Sequence, residues 1–85
     1  MIQPPDNIRY DSASKKLLWN GVPDAEEYEI IFTPVVVIDW QVAYSGGNDT
    51  ECSFIQPNGA YQGKGKTKKG GIWGVYGTEY SIVVT

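Results

Sequence analysis

Glycine and proline interrupt this sequence so often that an amphipathic helix has no place to form. Ten glycines and five prolines are spread over 85 residues, and no window carries apolar residues at i, i+3, i+4 and i+7 without one of them. Short apolar and polar alternations, separated by turn residues roughly every 8 to 12 positions, are instead typical of a two-sheet sandwich. We therefore predict an all-β fold of seven antiparallel strands.

The alternation also indicates which side chains point into the core. Leu17 and Trp19 share one face of their strand, as do Tyr28 and Ile30, because successive side chains of a strand point to opposite sides. The predicted strands cover residues 7–11, 15–20, 27–33, 35–44, 50–55, 61–68 and 78–85. The glycine-rich segment between the last two strands is predicted to be a long connection.

Chain length and composition limit the possible partners. Eighty-five residues support one hydrophobic core, so we predict a single domain over residues 1–85. The net charge of -3 and the pI near 4.7 argue against nucleic acid or an anionic membrane as partner. The only cysteine, Cys52, cannot form an internal disulfide and is interpreted as a core thiol. The sequence contains no histidine, and no metal site or cofactor is indicated.

The sequence carries no recognisable targeting signal. Its first ten residues contain prolines and an acid, whereas an export signal begins with basic residues and an apolar run. The longest aliphatic run is Val35 to Ile38, far below the roughly 18 residues of a membrane-spanning helix. We therefore expect that the protein is not secreted and that it assembles in the host cytoplasm.

Three motifs suggest chemistry that the surrounding sequence does not support. Residues 60–67 fit a relaxed phosphate-binding loop, but the glycines that follow would prevent the helix that such a loop needs. Asn48 to Thr50 has the form of a glycosylation acceptor and is interpreted as a turn. No base stands beside any serine or beside Cys52, so no catalytic residue is predicted.

Three stretches of the sequence together resemble the fibronectin type III family. They are PPDNIRY (residues 4–10), LLWNGVPDAEEYEI (17–30) and IQPNGAY (55–61). They hold a proline-rich start, a tryptophan on the second strand, a V-P-x-A turn, a tyrosine opening the third strand and a hydrophobic-x-Pro-x-x-x-Tyr corner. The matching positions are Trp19, Tyr28, Ile55, Pro57 and Tyr61. The resemblance implies a seven-stranded, immunoglobulin-like β-sandwich.

The resemblance also implies that the third, sixth and seventh strands share one sheet. Glu27 and Glu29 would then face the lysines of the sixth strand, which are Lys64, Lys66 and Lys68. Such cross-strand pairs of opposite charge contribute a few tenths of a kcal/mol each when exposed, by the usual magnitudes. They would also cancel most of the positive field that a nucleic-acid site needs.

The sequence departs from the family pattern in the sixth strand. Gly63 and Gly65 stand where the family has inward aliphatic residues. A glycine inside a strand commonly marks the close approach of a large group. We therefore expect an indole to lie over these glycines, supplied by Trp19, Trp40 or Trp73.

The run PVVVIDW places four consecutive aliphatic residues in one predicted strand. Alternation would turn about half of them away from the packed face, and an uncharged, β-prone edge needs a cover. One interpretation is that loops of the same chain cover them, and the other is that they dock on a partner. The second candidate segment is IWGVYG. The predicted contact residues are Val35, Val36, Val37, Ile38, Trp40, Ile72, Trp73, Val75 and Tyr76.

These observations favour a non-catalytic structural binding module. Fibronectin-like domains usually occur as repeated modules, so a solitary one needs avidity from its partner. Our leading hypothesis is an auxiliary or decoration protein that docks on a bacteriophage capsid or tail lattice and becomes part of the virion. The alternative is a spacer or carbohydrate-binding module of a secreted bacterial enzyme or adhesin, with exposed aromatic rings stacking on sugars. An enzyme is not predicted.

Overall fold

Eight strands and no helix make up the structure, a computed structural model that describes all 85 residues. The strands are β1 (Asp6–Asp11), β2 (Lys16–Asn20), β3 (Glu27–Pro34), β4 (Gln41–Gly47), β5 (Glu51–Ser53), β6 (Gly59–Lys69), β7 (Ile72–Trp73) and β8 (Tyr80–Val84). One sheet has the order β1-β2-β5, and the other has the order β4-β3-β6, with β7 and β8 both paired to β6. The all-β sandwich is confirmed. No helix capable of spanning a lipid bilayer is present.

The core lies between the two sheets, where alternate residues of the main strands meet. Trp19 of β2 packs edge-on against Tyr28 of β3, with ring centroids 6.2 Å apart, and Leu17 and Ile30 are completely buried. The Tyr28 hydroxyl accepts a hydrogen bond of 2.7 Å from the backbone N–H of Val22. Each large apolar side chain buried in this way contributes about 1.5–3 kcal/mol, which holds the sheets together without a disulfide.

The predicted tyrosine corner is present at the start of β6. The Tyr61 hydroxyl donates a hydrogen bond of 2.6 Å to the carbonyl oxygen of Pro57. The Tyr61 ring meanwhile packs against Phe54, at a centroid distance of 5.8 Å. The corner therefore ties the connection between β5 and β6 to the core.

The connection predicted before the last strand contains an additional short strand, which raises the strand number from seven to eight. Gly70 and Gly71 have φ angles of +60° and +75°, and such a pair of positive φ angles forms the two-residue turn of a hairpin. This turn leads directly into β7. Trp73 of β7 and Tyr80 of β8 both pair with β6. The intervening residues 74–79 leave the regular ladder and form a strap along β6.

The predicted strand over residues 35–44 is wrong in its first half. β3 ends at Pro34 and β4 begins at Gln41, so residues 35–40 form a loop. The Thr33 hydroxyl accepts a 2.6 Å hydrogen bond from the backbone N–H of Asp39, which closes this loop. Val35 also donates its backbone N–H to the carbonyl oxygen of Ala60. Strand alternation therefore does not apply to the aliphatic run.

The indole expected over the β6 glycines is also absent. Gly63 and Gly65 do face the core, but the groups that approach them are aliphatic. A Cβ at Gly63 would lie 2.7 Å from Cδ1 of Ile82, and one at Gly65 would lie 2.6 Å from Cδ1 of Ile30 and 2.8 Å from Cγ of Pro5. Two isoleucines and a proline therefore fill the space that the glycines leave.

Each free edge of the sandwich is poorly suited to pairing with another strand. Pro4 and Pro5 precede β1, and β5 has only three residues. β4 has two irregularities in its register with β3, and the strap separates β7 from β8. Prolines, short strands and bulges are known ways of blunting a sheet edge. Contacts with other molecules are therefore expected to use side-chain surfaces.

Candidate functional site

Four consecutive aliphatic side chains project from the loop between β3 and β4. We call Val35, Val36, Val37 and Ile38 the loop patch. Val36 is 90% exposed, and the other three are between 46% and 67% exposed. All four are turned outward, more than the half that strand alternation predicted, and the interpretation in which other loops cover them is wrong. A group of adjacent, exposed apolar side chains is typical of a contact site.

Three aromatic rings and two lysines alternate on the outer face of the five-stranded sheet. Nζ of Lys64 lies 4.4 Å from the ring centroid of Trp40 and 5.4 Å from that of Tyr76. Nζ of Lys66 lies 4.9 Å from the centroid of Tyr76 and 5.0 Å from that of Trp73. We call these five residues the aromatic–lysine ladder. Each contact of this kind contributes about 0.5–1 kcal/mol at exposed sites.

Carboxylates complete the ladder. Glu29 forms an ion pair of 3.5 Å with Lys66 and accepts a hydrogen bond from the Tyr76 hydroxyl. The hydrogen bond from Tyr76 and, after it, the charge of Lys66 lower the pKa of Glu29, against the opposing effect of burial. Burial first, and the Glu29 carboxylate second, raise the pKa of Tyr76 to about 12. Both groups therefore keep the protonation states that hold them together near neutral pH.

The predicted charge pairing between β3 and β6 is confirmed for two lysines. Lys68 pairs with Glu27 at 3.3 Å, and Lys66 pairs with Glu29. Lys64 lies opposite Ile31 of β3, so its carboxylate partner, at 3.8 Å, is Glu79 of the strap. All three lysines have an acidic partner, which leaves no unbalanced cationic stripe for a nucleic-acid backbone.

The second predicted segment forms a separate patch at the far end of β6. Ile72 and Val75 are 65% and 74% exposed, and Trp73 is 37% exposed. We call these three residues the hairpin patch. Ile72 pairs with Lys69 at the end of β6, whereas the loop patch lies beside Ala60 near its beginning. Nine strand residues separate these levels by about 30 Å, so the two patches occupy opposite ends of the sheet.

The other motifs have ordinary structural roles. Residues 60–67 lie within β6, and no helix follows them, so the phosphate-loop pattern is a strand. Asn48 and Thr50 are exposed in the connection between β4 and β5. Cys52 is half-buried against the core, and burial raises the pKa of its thiol to about 11. A thiol with such a pKa is a poor nucleophile at neutral pH.

The ladder is the feature that sequence reasoning missed. Alternation places the lysines on the outer face of β6, but Trp40 and Tyr76 lie in irregular segments to which no strand period applies. Their meeting with Lys64 depends on where the loop and the strap fold back over the sheet. The sequence did indicate such a surface, because Trp40, Trp73 and Tyr76 lie before and after a strand in which every second residue is a lysine.

Comparison with solved structures identifies the fold. A Fn3-like protein from Clostridium thermocellum superposes with a TM-score of 0.75 at 14% identity, over 99% of this chain and 94% of that chain. The chain has the fibronectin type III fold. The fibronectin type III domain derived from the human KIAA0970 protein gives a TM-score of 0.61 at 16% identity, over 98% of this chain and 73% of that chain. No protein-family model and no curated protein sequence matches the chain.

The comparisons show the fold of this chain and leave its function to be inferred from its own surface. Fibronectin type III domains are generally non-catalytic binding or spacer modules. Identities of 14% and 16% transfer a fold and not a partner. The comparisons lend no support to a role in a virion, and they do not favour the carbohydrate-binding alternative.

Proposed function

We propose that this protein is a non-catalytic module that binds another protein through exposed apolar side chains at the two ends of its five-stranded sheet. The observation that carries the proposal is the loop patch. Four adjacent aliphatic side chains, with Val36 at 90% exposure, lose unfavourable contact with water when a partner covers them.

The loop patch is held in place before binding. The completely buried Thr33 accepts the hydrogen bond from Asp39 that closes the loop, and Val35 is tied to Ala60. A contact loop with a fixed shape loses less conformational freedom on binding than a mobile one. This arrangement supports a role in recognition.

The chemistry of the patches favours a protein over a polysaccharide. Sugars bind by stacking on free aromatic faces, but lysine ammonium groups lie over the rings of Trp40, Trp73 and Tyr76. The most exposed side chains are aliphatic instead. A capsid or tail lattice of a virion is one form of protein partner within this proposal, since a lattice repeats its sites and so strengthens a small contact.

Site-specific photo-crosslinking tests the proposal. A photoreactive side chain at Val36 or at Ile72 is introduced into the protein in its source organism, and the same side chain at Ser12 is the control. Ser12 is exposed in the turn between β1 and β2, which belongs to the other sheet and to neither patch. We expect discrete protein adducts from Val36 or Ile72 and none from Ser12. Equal crosslinking at all three positions, or none, would contradict the proposal.

The carbohydrate alternative has its own assay. Affinity electrophoresis in gels that contain soluble cellulose, xylan or chitosan derivatives compares the wild type with Trp40→Ala and Trp73→Ala. Under our proposal no gel retards the wild type more than it retards the two variants. Retardation that either substitution abolishes would instead assign the ladder to sugar binding.

A further inference from the structure

The two apolar patches lie at opposite ends of an elongated molecule. The molecule measures 37 × 25 × 18 Å along its principal axes, and Ile72 of the hairpin patch lies about 30 Å from the loop patch along β6. The patches differ in sequence and shape. A pair of unlike contact sites at opposite ends is the arrangement that joins identical subunits head to tail, whereas a two-fold dimer uses one patch twice.

Each patch carries an unpaired charge, and the two charges have opposite signs. Asp39 directly follows the loop patch, is exposed and forms no ion pair. Lys69 lies opposite Ile72 of the hairpin patch, is exposed and forms no ion pair. The two lysines of the ladder, in contrast, both have carboxylate partners. The only carboxylate bonded to the hairpin turn is that of Glu26, which accepts hydrogen bonds from the turn amides.

We propose that the partner of the loop patch is the hairpin patch of a second copy of this chain, with Asp39 placed against Lys69. This inference rests on the proposed function and names the protein that the module binds. Because the contact joins two different surfaces, a pair of copies has a free loop patch at one end and a free hairpin patch at the other end. Association therefore continues beyond the dimer into short chains.

The size of the patches predicts a weak contact. Burying a side chain the size of valine or isoleucine removes roughly 60–120 Å² of apolar surface from water. With the observed exposures, the two patches together hide about 450 Å² of apolar surface, and about 800 Å² in total when the polar rim is included. Interfaces of this size are transient, so we expect a dissociation constant of about 0.1–1 mM.

Sedimentation equilibrium over a concentration series tests the association. The wild type is expected to have the mass of the 9.4 kDa chain when dilute, and an average mass that rises through and beyond the dimer as concentration approaches about 1 mM. Val36→Lys should remain monomeric. Ser12→Lys is the control, because it adds the same charge at an exposed position of the β1–β2 turn, in the other sheet and outside both patches, and it should behave as the wild type. A wild type that stays monomeric at these concentrations would overturn the inference.

Charge reversal tests the head-to-tail geometry directly. Asp39→Lys and Lys69→Asp should each weaken self-association by about 3- to 10-fold, since each places like charges in the contact. Mixed in equal amounts, the two variants should associate into alternating chains. At one contact Asp39 of one variant faces Lys69 of the other, as in the wild type, and at the next contact the reversed charges face each other. The variant that carries both reversals should regain association. Failure of both the mixture and the double variant, with the single variants weakened, would rule out the pairing of these two charges.

The outcomes separate this inference from the proposed function. Adducts of Val36 with a different protein, together with a monomeric wild type, would leave the binding role in place and refute self-association. Adducts at twice the chain mass, crosslinked between Val36 and the hairpin patch, would support both. A self-association that Val36→Lys leaves unchanged would show that the copies meet elsewhere and would refute the inference.

Discussion

Removing one hydroxyl from the ladder tests whether this surface stabilises the fold. Tyr76→Phe keeps the ring between Lys64 and Lys66 and deletes only the hydrogen bond to Glu29. A hydrogen bond to a charged group contributes about 1.5–3 kcal/mol. The Glu29 and Lys66 side chains keep 23% and 24% of their surface exposed, so water screens part of this value. We expect a loss of about 1 kcal/mol, which lowers the Tm by about 4–8 °C in a domain of this size.

Two further variants separate the hydroxyl from the ring. Tyr76→Ala should cost about 2–3 kcal/mol, because it also removes two cation–π contacts and buried ring surface. Tyr80→Phe is the control, since Tyr80 is also half-buried and its hydroxyl has no hydrogen-bond partner in the chain. Urea unfolding measures each free energy. A Tyr76→Phe variant as stable as the wild type, or one no more destabilised than Tyr80→Phe, would refute this account of the ladder.

The same contact gives a signed dependence on pH. The pKa of Glu29 in the folded protein lies below its ordinary value of 4.5. The ionised carboxylate therefore stabilises the fold fully above pH 4.5, and this contribution is lost as the pH falls through the lowered pKa. In Tyr76→Phe the largest cause of the lowered pKa is gone. The free energy of unfolding should then fall less steeply below pH 4.5 than in the wild type, and an unchanged slope would count against the assignment.

Three other substitutions or reactions test particular contacts. Gly65→Ala should destabilise the protein by about 1–2 kcal/mol in urea unfolding, because the new methyl group would overlap the Pro5 ring and overpacking outweighs the gain from replacing glycine; a more stable variant would contradict this. Tyr61→Phe should cost about 1 kcal/mol in the same assay, through loss of the hydrogen bond to Pro57, and a neutral result would show that the corner adds no stability. Cys52, with its pKa raised to about 11, should react with iodoacetamide at pH 8 far more slowly than glutathione, and equal rates would show that the thiol is not shielded.

The parts of the fold that obey a strict period could be predicted from the sequence. Alternation alone assigned Trp19, Tyr28 and Ile30 to the core, and the interruption of helical patterns by glycine and proline excluded helices. The facing charges of β3 and β6 followed once the sheet order was known. In each case several alternating residues determine which face of the strand is buried, so a single residue that departs from the alternation does not change the prediction.

The parts that could not be predicted depend on single hydrogen bonds and on irregular segments. The loop between β3 and β4 is set by the hydroxyl of Thr33 binding the backbone of Asp39, a contact between residues six positions apart. Nothing in the β-prone sequence of the loop patch indicates it. The partners of the β6 glycines were likewise wrong, because an aliphatic side chain can fill the same space as an indole.

The glycines of the strap explain how one face of the sheet acquires its aromatic cover. A Cβ at Gly74 would lie 3.0 Å from Cβ of Ile2, and one at Gly77 would lie 2.6 Å from Cγ of Pro4. The N-terminal segment therefore packs directly against the strap backbone, which in turn donates backbone N–H groups from both glycines to β6. These contacts with the N-terminal segment and with β6 fix the strap, so that Tyr76 lies over the lysines although the strap is not a regular strand. Larger residues at either glycine would push the strap away from β6 and open the ladder, so the close packing of the N-terminal segment and the outer surface of the sheet depend on each other.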